Sequence, residues 1–122
     1  MVFDGFLKVY LLFFNPLVFK NMIELVNFVK SLDKVESDFH KYGGISFLIN
    51  NREFCHIHGD GLVDIILTTA ITKGIYNLDG FEKHHVLGES NWVSYQITKY
   101  SLEEVKQVII LATKIKYNYG VS

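Results

Sequence analysis

A chain of 122 residues, 49% of them hydrophobic, is long enough for one compact domain with a single core and too apolar for a disordered segment. Twelve basic against thirteen acidic side chains leave a net charge of −1, which excludes the broad basic surface that holds nucleic-acid backbones without sequence preference. A single cysteine, Cys55, excludes an internal disulfide and a cysteine-rich zinc motif, and fits a reducing, cytoplasmic location.

The chain opens on its oiliest stretch, MVFDGFLKVYLLFFNPLVFK. The longest uncharged run there, residues 9–19, is 11 residues long and holds Asn15 and Pro16. A spanning helix needs roughly 20 apolar residues, so no stable membrane span is expected. Asp4 stands where a secretory signal carries positive charge, and no small-residue cleavage site follows. Residues 1–21 are therefore read as an apolar extension that packs as an appendage, joins copies of the chain into a homo-oligomer, or is dispensable. Residues 22–122 are read as the domain proper.

Asn21 with Glu24 three residues later offers a helix start, and Leu25, Phe28, Val29 and Leu32 follow at helical spacing. Strand-like runs flank Gly43-Gly44, and two more flank Gly59-Asp60-Gly61. A second helix is predicted over TTAITKGIYNL, with Ile71, Ile75 and Leu78 on one face and a stop at Asp79-Gly80. KHHVLGESNWVSYQI reads as a further hairpin with its loop over residues 88–91. The closing helix starts on a Ser101/Glu104 capping box and repeats Leu102, Val105, Val108, Ile109, Ala112 and Ile115. This order predicts an α+β domain, a mainly antiparallel sheet of hairpins with helices packed on one face.

Strand alternation places Cys55 and Ile57 on one side, and Phe54, His56 and His58 on the other. A three-residue Gly59-Asp60-Gly61 loop sets Ile57 against Val63 and Cys55 against Ile65, giving one clean apolar face; a two-residue turn would set Ile57 against Asp64. The three-residue loop, with Gly61 in the left-handed conformation, puts His56 opposite Asp64 with Cβ atoms about 5 Å apart, and His58 on the same side. A carboxylate at that distance orients an imidazole, as a general base or the outer partner of a metal ligand requires. In the later hairpin, a loop over residues 88–91 pairs Val86 with Val93 and His84 with Tyr95, leaving His85, Trp92 and Ser94 together on the other side. Such a face suits a flat aromatic ligand.

EFCHIHGDGLVDIIL, then KHHVLGESNWVSYQI, then an acid-led amphipathic helix, together resemble the luciferase-domain family, small bacterial and archaeal proteins named after the fungal luciferase that shares the domain. The likeness covers residues 22–119. Lys83 departs from it, since members often carry a proline before the His-His pair. In the fungal enzyme a hydroxylated pyrone is oxidised by molecular oxygen without a known metal or organic cofactor, and the resemblance implies no cofactor here. His56, His58, His85 and Trp92 look like positions the fungal domain also fills; Asp64 and the Gly-Asp-Gly turn look like the prokaryotic form. Element order and the NWVSYQI segment are also similar to the small cytoplasmic YjbR-like proteins, a likeness of fold alone.

Three functions compete on these residues. The first is binding of a small, aromatic organic ligand at His56, His58, Asp64, His85, Trp92 and Ser94, with His56 supported by Asp64 as the base and cofactor-free oxygen or proton-transfer chemistry following. The second is a non-catalytic binding or assembly module in which the same residues are a solvated sheet face. The third is a metal-dependent hydrolase at the His-x-His site; same-face strand neighbours lie about 7 Å apart, so no resident metal is expected. Asp60 is read as turn chemistry, and His40 and Cys55 as structural.

Overall fold

The computed structural model describes residues 15–39, 43–84 and 88–121. Its first helix, α1 (Pro16–Ser31), begins six residues before the expected start. Asn15 is the cap: its Oδ1 accepts from the Val18 amide at 3.3 Å, and Pro16 takes the first helical position, where a missing N–H costs nothing. The helix thus crosses the boundary drawn at residue 21 and places Val18, Met22, Leu25 and Val29 in the core. Asn21 instead ties the helix to the far end of the chain, its Nδ2 donating to the Thr98 carbonyl at 2.7 Å and the Tyr100 carbonyl at 2.8 Å.

Strands β1 (Glu36–Phe39), β2 (Ile45–Ile49), β3 (Arg52–Ile57) and β4 (Leu62–Ile66) follow as an antiparallel meander. Helix α2 (Thr69–Ile75) then carries the chain past the next position to β5 (Phe81–His84), and β6 (Gly88–Gln96) returns between β4 and β5. Among the described residues the sheet has six strands in the order β1-β2-β3-β4-β6-β5, every neighbouring pair antiparallel. Helix α3 (Glu103–Val121) closes the fold, with Ser101 Oγ accepting from the Glu103 amide at 3.1 Å. This is the expected α+β architecture.

Its core forms where periodicity asked for it. Leu102, just ahead of α3, and Val105, Val108, Ile109 and Ala112 of α3 join Phe47, Cys55, Ile57, Val63, Ile65 and Val93 of the sheet, all buried in one cluster. Helix α2 ends at Ile75, one turn short of the predicted stop; Leu78 lies beyond it in a turn and is exposed. No described helix is long and apolar enough to cross a membrane.

The β5/β6 register differs from the expected one. Phe81 pairs with Tyr95, Glu82 with Ser94 and Lys83 with Val93, and a shift then sets His84 against Gly88. Residue 88 is therefore strand and not loop, and the predicted His84–Tyr95 pair is replaced. Packing explains the choice: Phe81 is buried and its ring lies 4.8 Å from that of Tyr95, a contact that pairing His84 with Tyr95 forfeits.

Candidate functional site

Asp60 and Gly61 fix the geometry of the β3–β4 hairpin. The Gly61 amide donates to the His58 carbonyl at 3.0 Å, Asp60 Oδ1 accepts from the Leu62 amide at 3.1 Å, and Gly61 stands at φ +88°, where a side chain would be strained. The loop is the predicted three-residue one, and the pairs Cys55/Ile65, His56/Asp64 and Ile57/Val63 follow from it. Asp60 acts as turn chemistry.

Neighbouring registers extend that pair into a row. Asp38, Ser46, His56, Asp64, Ser94 and Glu82 stand side by side on β1, β2, β3, β4, β6 and β5, so a polar line crosses the whole described sheet between apolar rows. Its four central members are buried: Ser46 is 8% exposed, His56 8%, Asp64 4% and Ser94 4%. Buried polar groups need partners, and these four supply them. Ser94 Oγ donates to Asp64 Oδ1 at 2.6 Å, and Asp64 Oδ2 accepts from His58 Nε2 at 2.8 Å. Ser46 Oγ lies 3.2 Å from His56 Nδ1, and the Gly43 carbonyl 3.4 Å from His56 Nε2.

The 2.8 Å bond corrects the assignment of partners. Asp64 stands opposite His56, as the register requires, yet its carboxylate reaches diagonally to His58, whose side chain is 33% exposed against 11% for His56. Acceptor chemistry then fixes the tautomer of His58. A carboxylate only accepts, so His58 Nε2 carries the hydrogen and Nδ1 is the basic nitrogen of its neutral ring. The rings stack with centroids 4.3 Å apart and planes 27° from parallel. Stacked rings whose Nε2 atoms are bonded to a carboxylate and a carbonyl do not converge on one ion, and among the described residues no three His, Cys, Asp or Glu side chains gather as a metal-ligand set.

Three residues that the sequence reading passed over belong here. A register shift between Phe47 and Leu48 pairs Leu48 with Glu53, so alternation on β3 is broken at Phe54. Phe54, expected on the side of His56, is fully buried in the core cluster, while Glu53 Oε2 comes within 3.5 Å of His56 Nδ1, near enough to pair with that ring when it is protonated. Ser46 is the second, visible in the sequence as the single polar residue of ISFLI. Gly44 is the third: at φ +84°, a Cβ there would stand 2.5 Å from the Ile57 carbonyl oxygen and 2.8 Å from His56 Nε2. Only glycine lets the backbone entering β2 lie this close to the imidazole.

Of the other candidates, Trp92 is half-buried on β6 opposite Ile66, and its carbonyl accepts from Tyr76 Oη at 3.5 Å. Ser94 is committed to Asp64. His85, His40 and the side chain of His84 lie outside the described residues. Burial first, then the Asp64 and Glu53 carboxylates, push the Cys55 thiol far above its ordinary value, so it stays a protonated core residue.

The family profile described as Luciferase domain matches residues 51–112, a span from the turn before β3 into the middle of α3 that holds His56, His58, Asp64 and Ser94. No curated protein matches the sequence. Since the profile covers just over half of the chain, the protein belongs to the luciferase-domain family.

Proposed function

We propose that the protein binds a small organic ligand with an acidic hydroxyl, aromatic in character, against the ring of His58, and that His58 rather than His56 is the base. One observation carries the reading: Asp64, itself clamped by the Ser94 hydroxyl at 2.6 Å, holds His58 Nε2 at 2.8 Å on a side chain one-third exposed. A base needs a fixed tautomer and an accessible ring, and this ring has both. His58 Nδ1 takes the proton from the ligand's hydroxyl or an acidified carbon, Asp64 stabilises the imidazolium, and the resulting anion is oxidised by molecular oxygen, which forms a C–O bond to it and takes the proton back from His58 as a hydroperoxide. His56 backs the His58 ring by stacking, and Trp92, two residues before Ser94 on β6, adds apolar surface farther along the same face. Membership of the luciferase-domain family supports the oxygen branch without resident cofactor, and the buried thiol fits a reducing cytoplasm.

A thermal-shift screen of acidic phenols and hydroxypyrones tests this reading on the native chain and on His58→Ala. A ligand at about one hundred times its dissociation constant stabilises by about 2.7 kcal/mol, a readily measured shift in Tm. The expected result is a ligand that raises the native Tm and has at most half that effect on His58→Ala. Equal shifts in both proteins, or none across the screen, contradict it.

A further inference from the structure

At the end of the sheet away from the Gly59-Asp60-Gly61 loop, the start of β3, the β4–α2 connection, β6 and the last turns of α3 enclose a cleft of about 370 Å³. Arg52 and Lys116 line it together with Thr68, Thr69, Asn91 and Leu67. Its volume falls in the range of small-molecule sites, about 300–1,000 Å³. One wall is fixed by the Leu67 amide, which donates to the Asn91 carbonyl at 2.6 Å.

Its charge is the unusual feature. Among the described residues neither Arg52 nor Lys116 makes an ion pair, whereas Lys106 at the other end of α3 pairs with Glu24 at 2.9 Å. Burial first, and the Arg52 guanidinium next, hold the Lys116 ammonium below the usual lysine value, with the Glu53 carboxylate acting the other way. Two like charges thus share one cleft, the Lys116 ammonium partly buried and the Arg52 guanidinium exposed, and an entering anion relieves their repulsion. The neutral groups beside them complete the match. The Thr68 hydroxyl accepts from the Ile71 amide at 3.3 Å, which directs its hydrogen elsewhere, and Thr69 and Asn91 add a hydroxyl and an amide donor.

We propose that this cleft binds the phosphate group of a small phosphate ester, with Arg52 and Lys116 as its counter-charges and Thr68, Thr69 and Asn91 as neutral donors. Two cations balance a phosphate monoester, which carries about −1.5 to −2 at neutral pH, and overcompensate a carboxylate. The guanidinium fork suits two phosphate oxygens at once, and the ammonium supplies a point charge. The remaining volume takes the organic part of the ester. None of these residues belongs to the His58 site, so the proposal stands or falls independently of the ligand proposed there.

Amide chemical shifts followed during titration with inorganic phosphate, ribose 5-phosphate and acetate, at matched ionic strength, test it. Both phosphates are expected to move the Thr68, Thr69 and Asn91 signals, with the ester binding more tightly and acetate leaving them in place. Arg52→Gln and Lys116→Gln should each weaken ester binding at least tenfold, in proteins whose spectra otherwise overlay the native one. Acetate shifts as large as those of phosphate, an ester no tighter than the inorganic ion, no response to either phosphate, or affinity unchanged by both substitutions would overturn it.

Discussion

Replacing Gly44 by alanine is expected to destabilise the protein by about 2–4 kcal/mol, a fall in Tm on the order of 10 °C. Two terms add. The backbone at φ +84° is a conformation that costs a residue with a Cβ about 1–2 kcal/mol, and the new methyl would lie 2.5 Å from the Ile57 carbonyl oxygen, a backbone atom of the paired strand that cannot swing away. The nearest side-chain atom, 2.8 Å off, is His56 Nε2, so the surviving folded state should also show a displaced His56 ring signal. Gly74 provides the control. A Cβ there meets nothing within 4 Å, and the residue sits inside α2, so Gly74→Ala should stabilise by about 0.4–1 kcal/mol. Thermal denaturation of the two variants checks both signs, and a Gly44→Ala protein as stable as Gly74→Ala would contradict the close approach of Gly44 to Ile57 and the imidazole.

Removing the carboxylate at the centre of the polar row is the second large effect. Asp64→Ala strands the Ser94 hydroxyl, which is 4% exposed, and the Nε2–H of His58, and should cost about 2–4 kcal/mol by chemical denaturation. Asp64→Asn should cost less than half as much, because its remaining carbonyl oxygen still accepts from Ser94. Its amide nitrogen cannot accept from His58, however, so the stability loss and the loss of ligand response separate: Asp64→Asn stays folded and fails the screen. Equal stability of Asp64→Ala and the native chain would mean that the row is not a connected network.

How much of this was legible follows from which forces set each feature. The β3–β4 register could be derived because a single misplaced residue would have driven Asp64 into the apolar face, and the Gly-Asp-Gly loop allowed only one alternative. The choice of His58 over His56 could not, since it depends on a carboxylate reaching diagonally across the ladder, which residue parity does not encode. Glu53 was hidden by the irregularity opposite Phe47, where alternation stops holding. The β5/β6 register was missed because glycine and asparagine over residues 88–91 look like a loop, and the ring contact between Phe81 and Tyr95 that overrides them is tertiary. The start of α1 is encoded in Asn15-Pro16, a cap followed by a proline in the first turn, but Asn21 with Glu24 forms a second cap-like pair six residues later, at which helical spacing of apolar residues begins.

The hold of Asp64 on His58 is tested most directly by long-range ¹H–¹⁵N spectra of the imidazole rings in the native protein and in Asp64→Asn. In the native protein, neutral His58 should be locked as the Nε2–H tautomer with an unprotonated Nδ1, and in Asp64→Asn it should relax toward the tautomer mixture of a free imidazole. A native His58 that already averages between tautomers, or carries its hydrogen on Nδ1, would contradict the bond on which the proposed base depends.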